Sequence, residues 1–300
     1  MHWVKENINA FGGDSQIITL GGRSAGSYGV EAQVLHDFRG EARHAGEELF
    51  HRFYMISNAI PAQPKTVDSQ PQFDEICSHF GIPQAATGAE KLSSLRAELG
   101  GSFTDELLIQ SGMVEYLRDG QFAADFKRRG TRILIGEVLN EETLHSTYNT
   151  PEEPNLAALR LQIGNYYNPS TTDRIIEQYS LPKTDELSEW RAVFGRIIAD
   201  GQVRAPSRGL VHNLARHGTS ITDIWRFPTC IQYGPTEKEK ALMQELIDMQ
   251  VAFANDDRSY GFGTRAIDEM TVVTSEDVIE VQKDDQWNHL IKLSDVFARD

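Results

Sequence analysis

A serine set between a short apolar run and a helix-permissive one constrains this chain more than any other feature. Residues 17–30 read IITLGGRSAGSYGV, and Gly22-Arg23-Ser24-Ala25-Gly26 at their centre form the pattern G-x-S-x-G. A serine held on a strained turn from strand to helix projects its hydroxyl from the edge of a sheet. Small glycines two positions either side let the backbone turn tightly and the neighbouring elements close in. The five-residue pattern is common by chance, so its weight comes from the strand before it and the helix after it. Ser24 is the candidate nucleophile; the bland alternative is a serine at a helix start that bonds backbone. Ala25, the next residue, is the candidate oxyanion donor through its backbone N–H.

The rest of the chain supplies a matching frame. Trp3, Val4, Ile8 and Phe11 fall close to helical spacing and predict a packed helix over 2–11, stopped by Gly12-Gly13-Asp14. Gln16–Leu20 reads as a strand, Ser24 to about Leu35 as a helix, and 51–57 as the next strand. Arg132–Glu137 is a buried strand, 221–227 a further one, and 236–254 an amphipathic helix opened by Thr236 with Glu239 three residues on, a capping box. Asp277–Gln282 alternates like a late edge strand. Strands separated by helices give an α/β fold with a mostly parallel sheet flanked by helices. Two helical regions interrupt it. One runs from Pro61 to about Gln121, with faces at Phe73, Ile76, Cys77, Phe80 and at Leu92, Leu95, Leu99. The other runs from Asn155 to about Val211. Both read as cap insertions with core-forming faces.

Composition excludes several classes. The net charge of −15 counts against nucleic acid and anionic membrane surfaces as partners. No apolar run has the length of a membrane span, and the first residues lack the pattern of a signal peptide. Cys77 and Cys230 make no disulfide framework, and no cysteine or histidine cluster has zinc spacing.

Acyl chemistry at a serine also needs a base and an acid that orients it. Glu141 lies just beyond the strand 132–137, at the sheet edge where such groups gather, and follows the serine in chain order. A solvated loop carboxylate is the alternative, and spacing does not separate Glu141 from Glu142. For the base, His212 and His217 precede a strand and belong at its amino end, where packing roles are expected. His145 stands on the correct edge but very near Glu141, and His289 has no positional argument.

These residues resemble a known family. WVKENINAFGGDSQIITLGGRSAG, residues 3–26, is similar to the W-x-x-x-N-I-x-x-F-G-G-D…V-T-L-x-G-x-S-A-G block of type-B carboxylesterases, the cholinesterase-like α/β-hydrolases. IGEVLNEET, residues 135–143, resembles their G-x-x-x-D-E-G segment and puts the family's acid on Glu141. Residues 200–227 resemble the segment leading to the strand before the family's histidine, and helix 236–254 resembles the helix after it. The resemblance implies a single partial α/β-hydrolase domain over 1–300, with helical cap insertions at about 61–121 and 150–199. It implies hydrolysis of a small-molecule carboxylic ester through an acyl-serine, with no metal or organic cofactor.

Three departures accompany it. Arg23 stands where the family usually carries a glutamate beneath the site, and a buried unpaired guanidinium there would cost several kcal/mol. Residues 228–235, PTCIQYGP, fill the place of the histidine loop and contain no histidine. The family's H-G-G-type loop, which donates further oxyanion N–H groups, belongs upstream of the helix at which this chain begins. The expectation is a partial chain of the family that lacks its amino-terminal part and catalytic-histidine loop. An esterase-like binding protein with impaired catalysis, or a truncated gene product, stays open beside the enzyme.

Overall fold

The fold was analysed in a computed structural model, which describes residues 1–39, 48–61, 70–95, 112–228, 237–260, 263–274 and 276–298. The described residues begin with α1 (His2–Asn7) and a 3₁₀ turn (Ile8–Phe11), then β1 (Thr19–Arg23) and α2 (Ala25–Arg39). Next come β2 (Arg52–Ile56), α3 (Gln70–His79), α4 (Gly88–Leu95), α5 (Met113–Arg118), α6 (Gln121–Arg128) and β3 (Arg132–Glu137). The acid segment opens α7 (Glu141–His145), followed by α8 (Leu156–Ile163), α9 (Pro169–Ile176) and α10 (Leu187–Ala199). A π-helical segment (Asp200–Arg204) joins α10 to α11 (Ala205–Arg216). The chain continues through β4 (Ile224–Pro228), α12 (Glu237–Ala254), β5 (Glu269–Val273), β6 (Ile279–Lys283) and α13 (Trp287–Phe297).

The main sheet has the order β1-β2-β3-β4, with every neighbouring pair parallel. Its register aligns Arg23 with Ile56, Ile56 with Gly136 and Gly136 with Phe227. Alternation along β3 explains the layering, because successive side chains point to opposite faces. Ile133 and Ile135 join Phe38, Phe53, Phe122, Phe126 and Leu214 in one core, under α2, α6 and α11. Leu134 points the other way and packs with Trp225, Leu242, Leu246, Met249 and Phe253 beneath α12. A third cluster ties α8, α9 and α10 to α13 through Leu159, Ile175, Phe194, Ile197, Leu290 and Leu293.

Several expectations shift. The first strand is Thr19–Arg23 rather than Gln16–Leu20, since Gly21 and Gly22 pair with Tyr54 and Met55 despite their low strand propensity. Trp3 and Phe11 do not pack into a core: they are 63% and 72% exposed, and their rings meet each other 6.1 Å apart. The alternating tail forms β6, but its partner is β5 in a separate antiparallel pair rather than the edge of the main sheet. Cys77 is a buried free thiol. Cys230, Thr236, Leu99 and most of the connection 228–235 lie outside the described residues, as do the side chains of Leu92 and Leu95.

Candidate active site

The carboxyl ends of β1, β2 and β3 bring the candidate groups to one edge. Ser24 follows β1 with φ of 51°, a left-handed conformation that a non-glycine residue holds only at a cost. Its N–H donates to the carbonyl of Ile56 at 2.8 Å. Next, the Ser27 hydroxyl donates to Gly22 O at 2.8 Å and accepts from Ile56 N–H at 3.1 Å. The turn is thereby tied both to its own strand and to β2. Gly22 is required on steric grounds, because a Cβ there would lie 2.2 Å from Gly26 O. Gly26 differs from expectation, since a Cβ on it would meet nothing within 4 Å. Ala25 opens α2, so its N–H is among the first-turn donors without an intrahelical acceptor. Ser24, Ala25 and Arg23 are all exposed. Arg23 therefore carries no burial penalty, contrary to the family-based expectation.

One strand over, Ser57 repeats the turn with φ of 54° and donates its N–H to Gly136 O at 2.8 Å. Residues 24, 57 and 137 thus stand level at three successive strand ends, and Ser24 is about 10 Å from Glu137 across two strand spacings. Glu141 begins α7 just beyond, only 3% exposed, with its carboxylate accepting the N–H of Val138 at 2.9 Å. Burial pushes the Glu141 carboxyl above its ordinary range, opposed by that N–H and by the Ser57 hydroxyl. The Ser57 Oγ exerts this influence without a hydrogen bond of normal geometry. Structure separates the adjacent pair that spacing could not. The side chain of Glu142 is 39% exposed and ion-paired with Arg204. Burial pushes Glu142 up, but a hydrogen bond from its own N–H and the Arg204 guanidinium bring it below its usual value.

The Glu141 shift has a consequence for stability. A carboxyl raised in the folded state contributes stability that is complete below its unfolded value, about 4.3, and lost as pH rises through the folded value. Glu141→Gln keeps an oxygen for the Val138 N–H and removes the buried charge. It should therefore raise the urea midpoint at pH 7–8, by about 1 kcal/mol in stability, with the gain vanishing near pH 4. No gain at pH 7 would mean that ionised Glu141 is not a destabilising group.

The histidines fall in separate places. His217 donates from Nε2 to the carbonyl of Arg118 at 3.0 Å, and His212 packs edge-on against Trp287. His145 bonds the Tyr148 hydroxyl through Nδ1 at 3.0 Å, and burial followed by Arg204 lowers its pKa. His289 lies on α13. Sequence reasoning missed Ser27, Ser57, Arg204 and Arg208. Only Ser57 left a signal, as the last residue of a predicted strand parallel to the first.

A parallel sheet with helices on both faces, and a left-handed serine at the carboxyl end of a strand, define the α/β-hydrolase class. Solved structures agree. A thermophilic PNB esterase superposes with a TM-score of 0.66 at 15% identity, covering 97% of this chain and 66% of that one. The Geobacillus stearothermophilus carboxylesterase gives 0.59 at 18% identity, covering 99% and 67%. Residues 1–116, which include the Ser24 turn, match the carboxylesterase family. The chain is 27% identical to an uncharacterized esterase/lipase of Schizosaccharomyces pombe, covering 99% of this chain and 63% of that protein. It is 30% identical to a carboxylic ester hydrolase of Gibberella moniliformis, covering 76% and 45%. The chain belongs to the type-B carboxylesterase family. It spans about half to two-thirds of the length of these curated relatives. The alignment with the S. pombe protein runs over 347 positions against 300 residues here, so that relative holds residues with no counterpart in this chain. No helix among the described residues is long and apolar enough to cross a membrane.

Proposed function

We propose that this chain carries the nucleophile and acid of a carboxylic ester hydrolase site, with Ser24 attacking the ester carbonyl and Glu141 orienting the base. Ala25 N–H stabilises the oxyanion of the tetrahedral intermediate, whose collapse expels the alcohol and leaves an acyl-serine. The substrate class is a small-molecule carboxylic ester. The observation that carries this reading is the left-handed Ser24 turn, level with strand ends that bring a buried Glu141 to the same edge. Family membership supports the reading independently. The unusual exposure of Ser24 leaves it accessible to a bulky acyl group.

A second reading is an esterase-like protein that binds without turning over. It is favoured by residues 228–235, which occupy the place of the family's histidine loop without a histidine. General-base catalysis contributes about 10²–10⁴ in rate, so a chain without that base acylates slowly but retains its nucleophile.

Fluorophosphonate labelling separates the two. The expected result is a covalent adduct on Ser24, found by peptide mass mapping and absent from Ser24→Ala. His145→Ala shows whether the histidine on this edge supplies the base. A folded protein with no adduct on Ser24 after prolonged exposure would rule out the hydrolase reading and leave the binding one.

A further inference from the structure

The segment that carries Glu141 is held by two arginines from one continuous helix. Glu137, Glu141 and Glu142 place three carboxylates within six residues at a half-buried sheet edge, where unrelieved repulsion would spread the loop. Arg204, at the end of the π-helical segment, is paired with the Glu142 carboxylate and donates to the Leu139 carbonyl at 3.1 Å. Arg208 is paired with the Glu137 carboxylate and with Asp284, the latter at 2.9 Å. Arg208 Nη1 also reaches the carbonyl of Arg204 at 3.5 Å, so both side chains run along one face of the helix. Burial opposes the charge of each guanidinium, but the carboxylates outweigh it and both stay protonated.

Gly201 lets the π-helical segment pack closely, since a Cβ there would lie 2.3 Å from the Tyr167 hydroxyl. Gln202, next along, accepts the Tyr28 hydroxyl and donates to Tyr167 at 2.9 Å. Tyr28 lies one helical turn beyond Ser24 on α2. A single irregular stretch of helix therefore touches both the nucleophile helix and the acid loop, and π segments of this kind recur at functional sites.

We propose that Arg204 and Arg208 are positioning residues that clamp the loop 137–142 at Glu137, Leu139 and Glu142, leaving Glu141 as the one loop carboxylate without a guanidinium partner among the described residues. Glu141 is selected because the carboxylates of Glu137 and Glu142 are each neutralised by a guanidinium while its own is not ion-paired. The clamp rests on the reading of Glu141 as the orienting acid, but its effect on the loop can be measured separately.

Hydrogen exchange over residues 138–146 reads the loop, and fluorophosphonate kinetics at Ser24 read the site. Arg204→Gln and the milder surface variant Glu142→Gln should each speed exchange across 138–146 about ten-fold, with β2 and β3 amides unchanged. In both variants the limiting labelling rate at Ser24 should fall about ten-fold, at an unchanged half-saturating probe concentration. Arg204→Lys, which restores the charge but not the forked geometry, should recover part of both losses. Exchange within two-fold of wild type in both Arg204→Gln and Glu142→Gln, with the core still protected, would overturn the clamp. Accelerated exchange with a limiting labelling rate equal to wild type would equally overturn the positioning role. If even wild type fails to label, the hydrolase reading falls, and the exchange result still decides whether the arginines hold the loop.

Discussion

Arg208→Met should destabilise the protein by about 3–5 kcal/mol at pH 7, measured by urea denaturation. Arg208 lies in a buried four-group network with Glu137, Asp284 and Arg226, the last bonded to Asp284 at 2.7 Å. Methionine fills much of the arginine volume but cannot neutralise Glu137, whose pairing among the described residues runs through Arg208. The loss is an uncompensated buried charge rather than a cavity. A further result should accompany it. Glu137→Gln combined with Arg208→Met should recover much of the loss, since the orphaned charge is then gone. Wild type has a separate acid sensitivity from Asp284. Burial pushes its carboxyl up, but Arg208 and Arg226 outweigh this and hold it below the ordinary value. That contribution is present above the unfolded pKa of about 3.9 and lost as pH drops through the folded one. A penalty for Arg208→Met below about 1 kcal/mol at pH 7 would contradict the network.

Gly22→Ala should displace the serine turn. The new methyl would lie 2.2 Å from Gly26 O and 2.8 Å from Ser27 N, both backbone atoms that cannot swing aside as a side chain could. Relief requires opening the turn, at about 1–3 kcal/mol for overpacking. Ser24 then leaves its place, and labelling should fall by about 10²-fold, as for any misplaced reacting group. Gly26→Ala is the internal control. Its Cβ enters open space, and stability should stay within about 0.5 kcal/mol of wild type. Equal labelling of Gly22→Ala and wild type would show that the close approach of residues 22 and 26 does not set the turn.

β3 was legible from sequence because it buries both faces, and β2 because all of it but Tyr54 is buried. Phe53, Met55, Ile133, Leu134 and Ile135 make short apolar runs that need no partner to be recognised. What stayed hidden depends on neighbours. β1 extends through Gly21, and the ring of Tyr54 occupies the space above that glycine, a fact of packing rather than propensity. Helix α6 escaped notice although Phe122, Ala123 and Phe126 are buried at helical spacing, because only eight residues carry the pattern. α13 shows Trp287, Leu290, Leu293 and Phe297 along one face, a spacing present in the sequence but not read there. At the site, Glu141 and Glu142 are chemically identical neighbours, and only burial and Arg204 distinguish them. The arginines come from 62 and 71 residues further along the chain, so local spacing carries no trace of them.

Among the described residues, β1 has a strand beside it on one side only. Besides its bond to Gly22 of its own strand, the Ser24 turn is anchored to β2, through Ile56 and the Ser27 hydroxyl. Fraying of a sheet begins at its outermost strand, where each lost bond exposes no further neighbour. A residue with a left-handed backbone thus sits at an outer strand of the described sheet. Its left-handed conformation is maintained by a handful of local bonds, and brief excursions of β1 would release the turn long before the core around Phe53 opens.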